Sequence, residues 1–226
     1  MPLRAIVFDF DGVIANSEPL HFRGYRDVLA EEGVTLTESD YYARYLGFDD
    51  VGAFEAIGRR HAASWSDAHI RDMVTRKAVR LEALERHVSV LFPGAADAIR
   101  RASAVLPIAI ASGARGDEIR RVLDREHLSA SFTAIVAAED TPVSKPGPDP
   151  YLHALTLLAP ACGGRLRGAD CVAIEDSKWG LESARAAGLH TVAITNTYGA
   201  DELVADATIA SLEALDLYFL ARICSE

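Results

Sequence analysis

Leu3-Arg4-Ala5-Ile6-Val7-Phe8-Asp9-Phe10-Asp11-Gly12 is an apolar run that ends in two aspartates one residue apart, followed by a glycine. The run is short and rich in Ile, Val and Phe, so it reads as a buried strand and not as an amphipathic helix. An unpaired carboxylate is costly inside such a strand. Asp9 and Asp11 therefore belong at its carboxyl end, the edge where open α/β sheets bind ligands, and Gly12 lets the chain turn there. Taken alone, such a pair is no more than the solvated end of a strand, and the rest of the chain has to decide.

Outward from this stretch, three more apolar runs end in polar residues. Val105–Ala111 runs into Ser112-Gly113, Cys171–Ile174 into Glu175-Asp176-Ser177, and His190–Ile194 into Thr195-Asn196. A weaker one, Phe132–Ala137, runs into Glu139-Asp140. Helical patterns at about 94–104, 115–127, 149–160 and 178–188 alternate with them. Strands alternating with helices imply an α/β fold, a doubly wound parallel sheet of Rossmann-like type. Residues 17–88 break the alternation. They carry helical spacing at His21–Glu32, Asp50–Ala63 and Asp67–His87 and no convincing strand. The expected organisation is an α/β core of residues 1–16 and 89–226, with an inserted helical cap domain at 17–88.

Composition narrows the partners. The chain has 226 residues, half of them hydrophobic, and a formal net charge of −10. That charge disfavours nucleic acid and anionic membrane, and no apolar stretch is long enough to span a bilayer. The three cysteines form neither a disulfide framework nor a metal cluster. With no basic-then-apolar leader, a cytoplasmic protein is expected, as a monomer or weak homodimer.

If the strand ends converge, Asp9, Asp11, Glu175 and Asp176 share one pocket. Two like charges about 4 Å apart repel by roughly 4 kcal/mol at an effective dielectric of 20. Lys145, in the proline-rich loop Ser144-Lys145-Pro146-Gly147-Pro148-Asp149-Pro150, cannot offset several such pairs. Either protons or a divalent cation must do so, and carboxylate oxygens with open positions suit Mg²⁺. The Ser112 hydroxyl, nearby N–H groups and the Lys145 ammonium are then suited to phosphate oxygens. One carboxylate can attack phosphorus and a second can trade a proton with the leaving group and with water. Asp9 and Asp11 have the types and spacing for those two tasks.

The chain resembles the haloacid dehalogenase superfamily of phosphohydrolases, with four motifs in order: Asp9-Phe-Asp11-Gly-Val, Ser112-Gly113, Lys145-Pro-Gly-Pro-Asp-Pro-Tyr and Glu175-Asp176-Ser177. The insertion after the first motif is where the subgroup of β-phosphoglucomutase and phosphoglycolate phosphatase carries its cap. The resemblance implies that Asp9 is nucleophile and Mg²⁺ ligand. It makes Asp11 the acid/base, with its carbonyl on the metal. Ser112, Gly113 and Lys145 hold the phosphoryl group, and Glu175 and Asp176 complete the metal site. It places His21 near the hinge and Gly47 on the substrate side of the cap. Mutases of this subgroup carry an arginine after that glycine; here Phe48-Asp49-Asp50 follows it.

The expected activity is a Mg²⁺-dependent phosphatase acting on a small phosphorylated metabolite, such as a sugar phosphate or phosphoglycolate. The rivals are a sugar-phosphate mutase and a non-catalytic binding protein. Arg44, Arg59 and Arg76 are alternative cations for a second phosphate. Trp179 reads as packing, and Asn196 and Thr197 carry no assigned role.

Overall fold

A computed structural model of the chain describes residues 3–45, 48, 50–86 and 89–225. It divides into two compact units, one of Met1–Asn16 with Val90–Glu226, the other Ser17–Ser89.

The first unit is built on a six-stranded sheet. Its strands are β1 (Ala5–Phe8), β2 (Ile108–Ala111), β3 (Ala134–Val136), β4 (Cys171–Glu175), β5 (His190–Ile194) and β6 (Ala207–Ile209). They lie in the order β3-β2-β1-β4-β5-β6, and all the pairs are parallel. The residues of β1, β2 and β4 are fully buried, as expected for strands covered on both faces, which read as continuous apolar runs. Tyr151, Ala154 and Leu158 of α7 (Asp149–Leu158) pack on one face, against Val7, Ala109 and Ala173. The other helices of this unit are α5 (Ala95–Ser103), α6 (Gly116–Arg125), α8 (Lys178–Ala186) and α9 (Leu217–Ile223). In α6, the apolar residues Ile119, Val122 and Leu123 are buried at the i, i+3, i+4 spacing of an inward stripe.

Strand order reverses direction between β1 and β4, and such a switch point opens a crevice at the carboxyl ends of the strands. Register sets what lines it: Phe8 stands opposite Ile174, so Asp9 leaves β1 beside Glu175.

The second unit interrupts the first just after β1. Asn16 N–H donates to Val90 O and Phe92 N–H to Ile14 O, at 2.6 and 2.9 Å, so the outgoing and returning chains run side by side. Its helices are α1 (Glu18–Glu31), α2 (Glu38–Arg44), α3 (Asp50–Arg60) and α4 (Asp67–Glu85). Thr37 and Ser66 cap α2 and α4 by accepting from Asp40 N–H and His69 N–H. The apolar interior holds Tyr25, Val28, Leu29, Tyr41, Phe54, Ile57 and Met73, with Tyr25 edge-on to Phe54 at 5.1 Å.

Several local expectations change. The second strand begins at Ile108, and Val105 is exposed. The elements α2, β6 and α9 stand where no element was expected. No helix among the described residues is long and apolar enough to cross a membrane.

Candidate active site

Asp9, Glu175 and Asp176 each present a carboxylate oxygen within 4.8 Å of the others, and all three are buried. Lys145 is the cation among them: its Nζ lies 3.0 Å from Asp9 Oδ1 and donates to Glu175 Oε1. The four residues reach this point from three places. Asp9 leaves β1, Glu175 and Asp176 end β4, and Lys145 stands in the loop between β3 and α7. The Asp11 side chain is outside the carboxylate cluster; Asp11 forms a bridge with Ala15 in the turn after β1.

Among the described residues, these three carboxylates and one lysine do not balance. At 4.8 Å each like-charged pair repels by roughly 3 kcal/mol at an effective dielectric of 20. Burial and then the Glu175 charge push Asp9 up to about 7, against the pull of Lys145. Burial, then Asp9 and Glu175, push Asp176 up to about 8. Burial alone would lower the Lys145 pKa, but the charges of Asp9 and Glu175 raise it, so the ammonium keeps its proton. A divalent cation fits this donor set: oxygen ligands, an excess of negative charge, and carboxyls that hold protons in its place.

Glu175 is the most constrained of the three. Its carboxylate, 0% exposed, accepts on Oε1 from Lys145 Nζ and from Tyr151 OH at 2.9 Å. On Oε2 it accepts from Asp176 N–H, Ser177 N–H and Ser177 Oγ. Five donors meet the roughly four lone-pair sites of a carboxylate, so Glu175 fixes Lys145 and the start of α8 together. Ser177 Oγ also accepts from Gly180 N–H, capping α8. A Cβ at Gly180 would stand 1.8 Å from Glu175 Oε1, so only glycine lets the helix come this close.

Ser112 is buried at the end of β2; its N–H donates to Val136 O and its Oγ accepts from Ala114 N–H at 3.1 Å. Gly113 beside it is exposed. Glu139 and Asp140, the weaker acidic pair, have local partners: Glu139 accepts from Gly116 N–H at the start of α6, and Asp140 from Ala137 N–H.

In the helical unit, His21 Nδ1 lies 2.9 Å from the buried Lys77 Nζ, which donates to Asp50 Oδ1 at 2.5 Å. Gly47 and Asp49 lie outside the described residues. Trp179 does not pack: it is 62% exposed, because Gly180, Leu181, Ser183 and Ala184 form the buried face of α8.

Tyr151, Gly180, Asn196 and Thr197 were not singled out for this site by sequence. Tyr151 ends the stretch that starts at Lys145, and Gly180 is the small residue three after the Ser177 cap. Asn196 and Thr197 stand just past the end of the apolar run His190–Ile194.

Sheet order defines a Rossmann-like α/β fold with a carboxylate–lysine cluster at its switch point. The sequence profile of the haloacid dehalogenase-like hydrolases matches residues 3–188, and the chain belongs to that family. Among its relatives, protein CbbY of Rhodobacter capsulatus is 34% identical over 95% of this chain and 96% of its own length. Hexitol phosphatase B of Escherichia coli K12 is 29% identical over 93% of each. A crystal structure of CbbY from Rhodobacter sphaeroides, an aspartate-to-asparagine variant in complex with xylulose-1,5-bisphosphate, superposes with a TM-score of 0.80. It is 27% identical and covers 95% of this chain and 96% of its own.

Proposed function

We propose that this enzyme is a Mg²⁺-dependent phosphatase of small phosphorylated metabolites, of the sugar-phosphate kind, working through an aspartyl-phosphate on Asp9. The observation that carries the reading is the buried carboxylate set of Asp9, Glu175 and Asp176 around one lysine at the switch point of the sheet. Asp9 and Asp176, with the Asp11 carbonyl, would hold the cation, and Glu175 would join them by giving up one of its donors; the cation when bound supplies positive charge to the phosphoryl oxygens. Asp9, freed of its proton, attacks phosphorus while Asp11 gives a proton to the departing oxygen. Asp11 then takes a proton from water as that water attacks the same phosphorus, and Asp9 is released. The Lys145 ammonium, the Ser112 hydroxyl and the Gly113 N–H would hold the phosphoryl oxygens through both steps.

Sugar phosphates are favoured because hexitol phosphatase B and the xylulose-1,5-bisphosphate complex are among the relatives. Hydrolysis is favoured over isomerisation because a mutase must also grip a second phosphate. Here Asp50 is ion-paired with Lys77, and Arg44, Arg59 and Arg76 are paired with Asp40, Glu55 and Glu31.

The test is a panel of phosphorylated sugars, hexitols and phosphoglycolate, assayed for phosphate release with Mg²⁺ and with chelator. A parallel reaction contains β-glucose 1-phosphate, a trace of the 1,6-bisphosphate and Mg²⁺. Phosphate release that requires Mg²⁺ is expected. Glucose 6-phosphate formed far faster than phosphate would make the mutase reading the right one.

A further inference from the structure

The turn after β5 touches the acidic site from two sides. Thr197 Oγ1 donates to Asp176 Oδ2. The neighbouring Asn196 Nδ2 donates to Gly12 O at 2.8 Å, in the turn that carries Asp11. The two residues that accept are themselves in contact. Gly12 has φ +76°, and a Cβ there would stand 1.9 Å from Asp176 Oδ2, so the Asp176 carboxylate lies against the Gly12 backbone. The turn is itself tethered to the sheet, since Thr195 N–H donates to Ile209 O of β6 at 3.2 Å. Two consecutive polar side chains from one strand end thus hold a carboxylate from β4 and a peptide group from the loop after β1.

We propose that Asn196 and Thr197 are positioning residues that align Asp176 and the Asp11–Gly12 turn for cation binding. This inference rests on the reading of Asp9, Glu175 and Asp176 as a divalent-cation site. A carboxylate free to rotate about Cβ–Cγ loses torsional freedom when it binds a cation. A hydroxyl donating to one oxygen removes part of that loss in advance and fixes where the other oxygen points. The Asn196 amide does the same for the peptide turn beside it. Groups that orient metal ligands in this way are worth 10–100-fold in metal affinity when removed, as an order of magnitude. Packing does not explain the pair: Thr197 is exposed and Asn196 only half-buried, so their side chains add little to the apolar core.

The experiment titrates Mg²⁺ into the whole protein by calorimetry, for the wild type, Thr197→Val, Thr197→Ser and Asn196→Ala. Each protein is also melted in chelator. Thr197→Val and Asn196→Ala should each weaken Mg²⁺ binding about tenfold or more. Thr197→Ser, which keeps the hydroxyl, should bind close to wild type. A purely structural role predicts the reverse pattern, with lower melting temperatures in chelator and unchanged Mg²⁺ affinity, and that result would overturn the inference. So would a Thr197→Ser variant as weak as Thr197→Val. If the wild type itself binds no Mg²⁺, the cation site falls and the inference falls with it. If the wild type binds and both Thr197→Val and Asn196→Ala bind equally well, only the positioning role falls.

Discussion

At the switch point of the sheet, three buried carboxylates share one lysine. Inside the helical unit, a buried lysine is ion-paired with a carboxylate, while the pKa of nearby Glu18 is raised chiefly by burial. Lys77, 1% exposed, donates to Asp50, which also accepts from Tyr25 OH at 2.6 Å, and the ammonium lies 4.6 Å from the Tyr25 ring. The results differ in sign. Burial alone would raise the Asp50 pKa, but Lys77 and Tyr25 hold it below the usual carboxylate range. Asp9 and Asp176 are pushed up to about 7 and about 8. A balanced buried pair completes itself, whereas an unbalanced one calls for protons or a cation from outside. Burial of charge is therefore common to both regions, and the excess of carboxylates over cations is what sets the candidate site apart.

The sharpest way to break this contrast is Asp9→Asn. The change is nearly isosteric and relieves repulsion, so the fold should survive. Turnover should fall by at least about a thousandfold, because the attacking oxygen is replaced by an amide. A purified variant keeping more than a few per cent of wild-type phosphate release would remove Asp9 as nucleophile.

A second test reads the imbalance through pH. Folding raises the Asp9 and Asp176 carboxyls above their ordinary 3.8. Between about pH 4 and 8 the folded state thus holds more protons than the unfolded state, and stability without metal falls as pH rises. For Asp9 alone the shift amounts to ~4 kcal/mol when complete. In chelator the melting temperature should drop by about 10 °C from pH 5 to pH 8. Mg²⁺ should reverse most of that drop, since a ligand of the native state stabilises it. Asp176→Asn should flatten the chelator profile. A flat wild-type profile would mean that the carboxylates are not under mutual strain.

Much of this site was legible in sequence because polar residues sat just past the ends of apolar runs. Parallel strands covered on both faces leave few other places for a cluster of charges. Asp9, Ser112, Glu175 and Asp176 stand out for that reason, and Lys145 because prolines surround it. What was missed has another cause. Thr197 reaches Asp176 across 21 positions and Tyr151 reaches Glu175 across 24, and no local pattern encodes such pairings. The helix α2 (Glu38–Arg44) buries Tyr41 alone, so it has no apolar stripe to see; its only sign is the Thr37 cap. Trp179, at the start of α8, reads as packing, yet the small residues around it form the buried face.

A third test disturbs the balanced pair. Asp50→Ala leaves the Lys77 ammonium buried without its carboxylate, a defect that costs ~3 kcal/mol. The double change Asp50→Leu with Lys77→Met removes both charges and should recover most of the loss, measured by urea unfolding. Mg²⁺ affinity should be unchanged in either variant. A double variant no more stable than Asp50→Ala would show that the pair is not the source of the cost.

The smallest effects belong to the arginines of the helical unit. Arg44 and Arg59 form i,i+4 pairs with Asp40 and Glu55, and Arg76 joins Glu31, Glu32 and Asp72. Exposed pairs such as Arg59–Glu55 are worth about 0–1 kcal/mol, and the Arg76–Glu32 pair is half-buried. Arg44→Ala and Arg59→Ala should each cost less than about 0.5 kcal/mol, and Arg76→Ala about 1 kcal/mol because it breaks several contacts at once. None of the three should change KM for the best sugar-phosphate substrate by more than about twofold. A cation that grips a substrate phosphate makes charge-assisted hydrogen bonds worth about 1.5–3 kcal/mol, and losing it should raise KM more than tenfold. Steady-state kinetics of the three variants therefore separates surface pairing from substrate binding. A large KM effect at any one of them would assign substrate binding to that arginine.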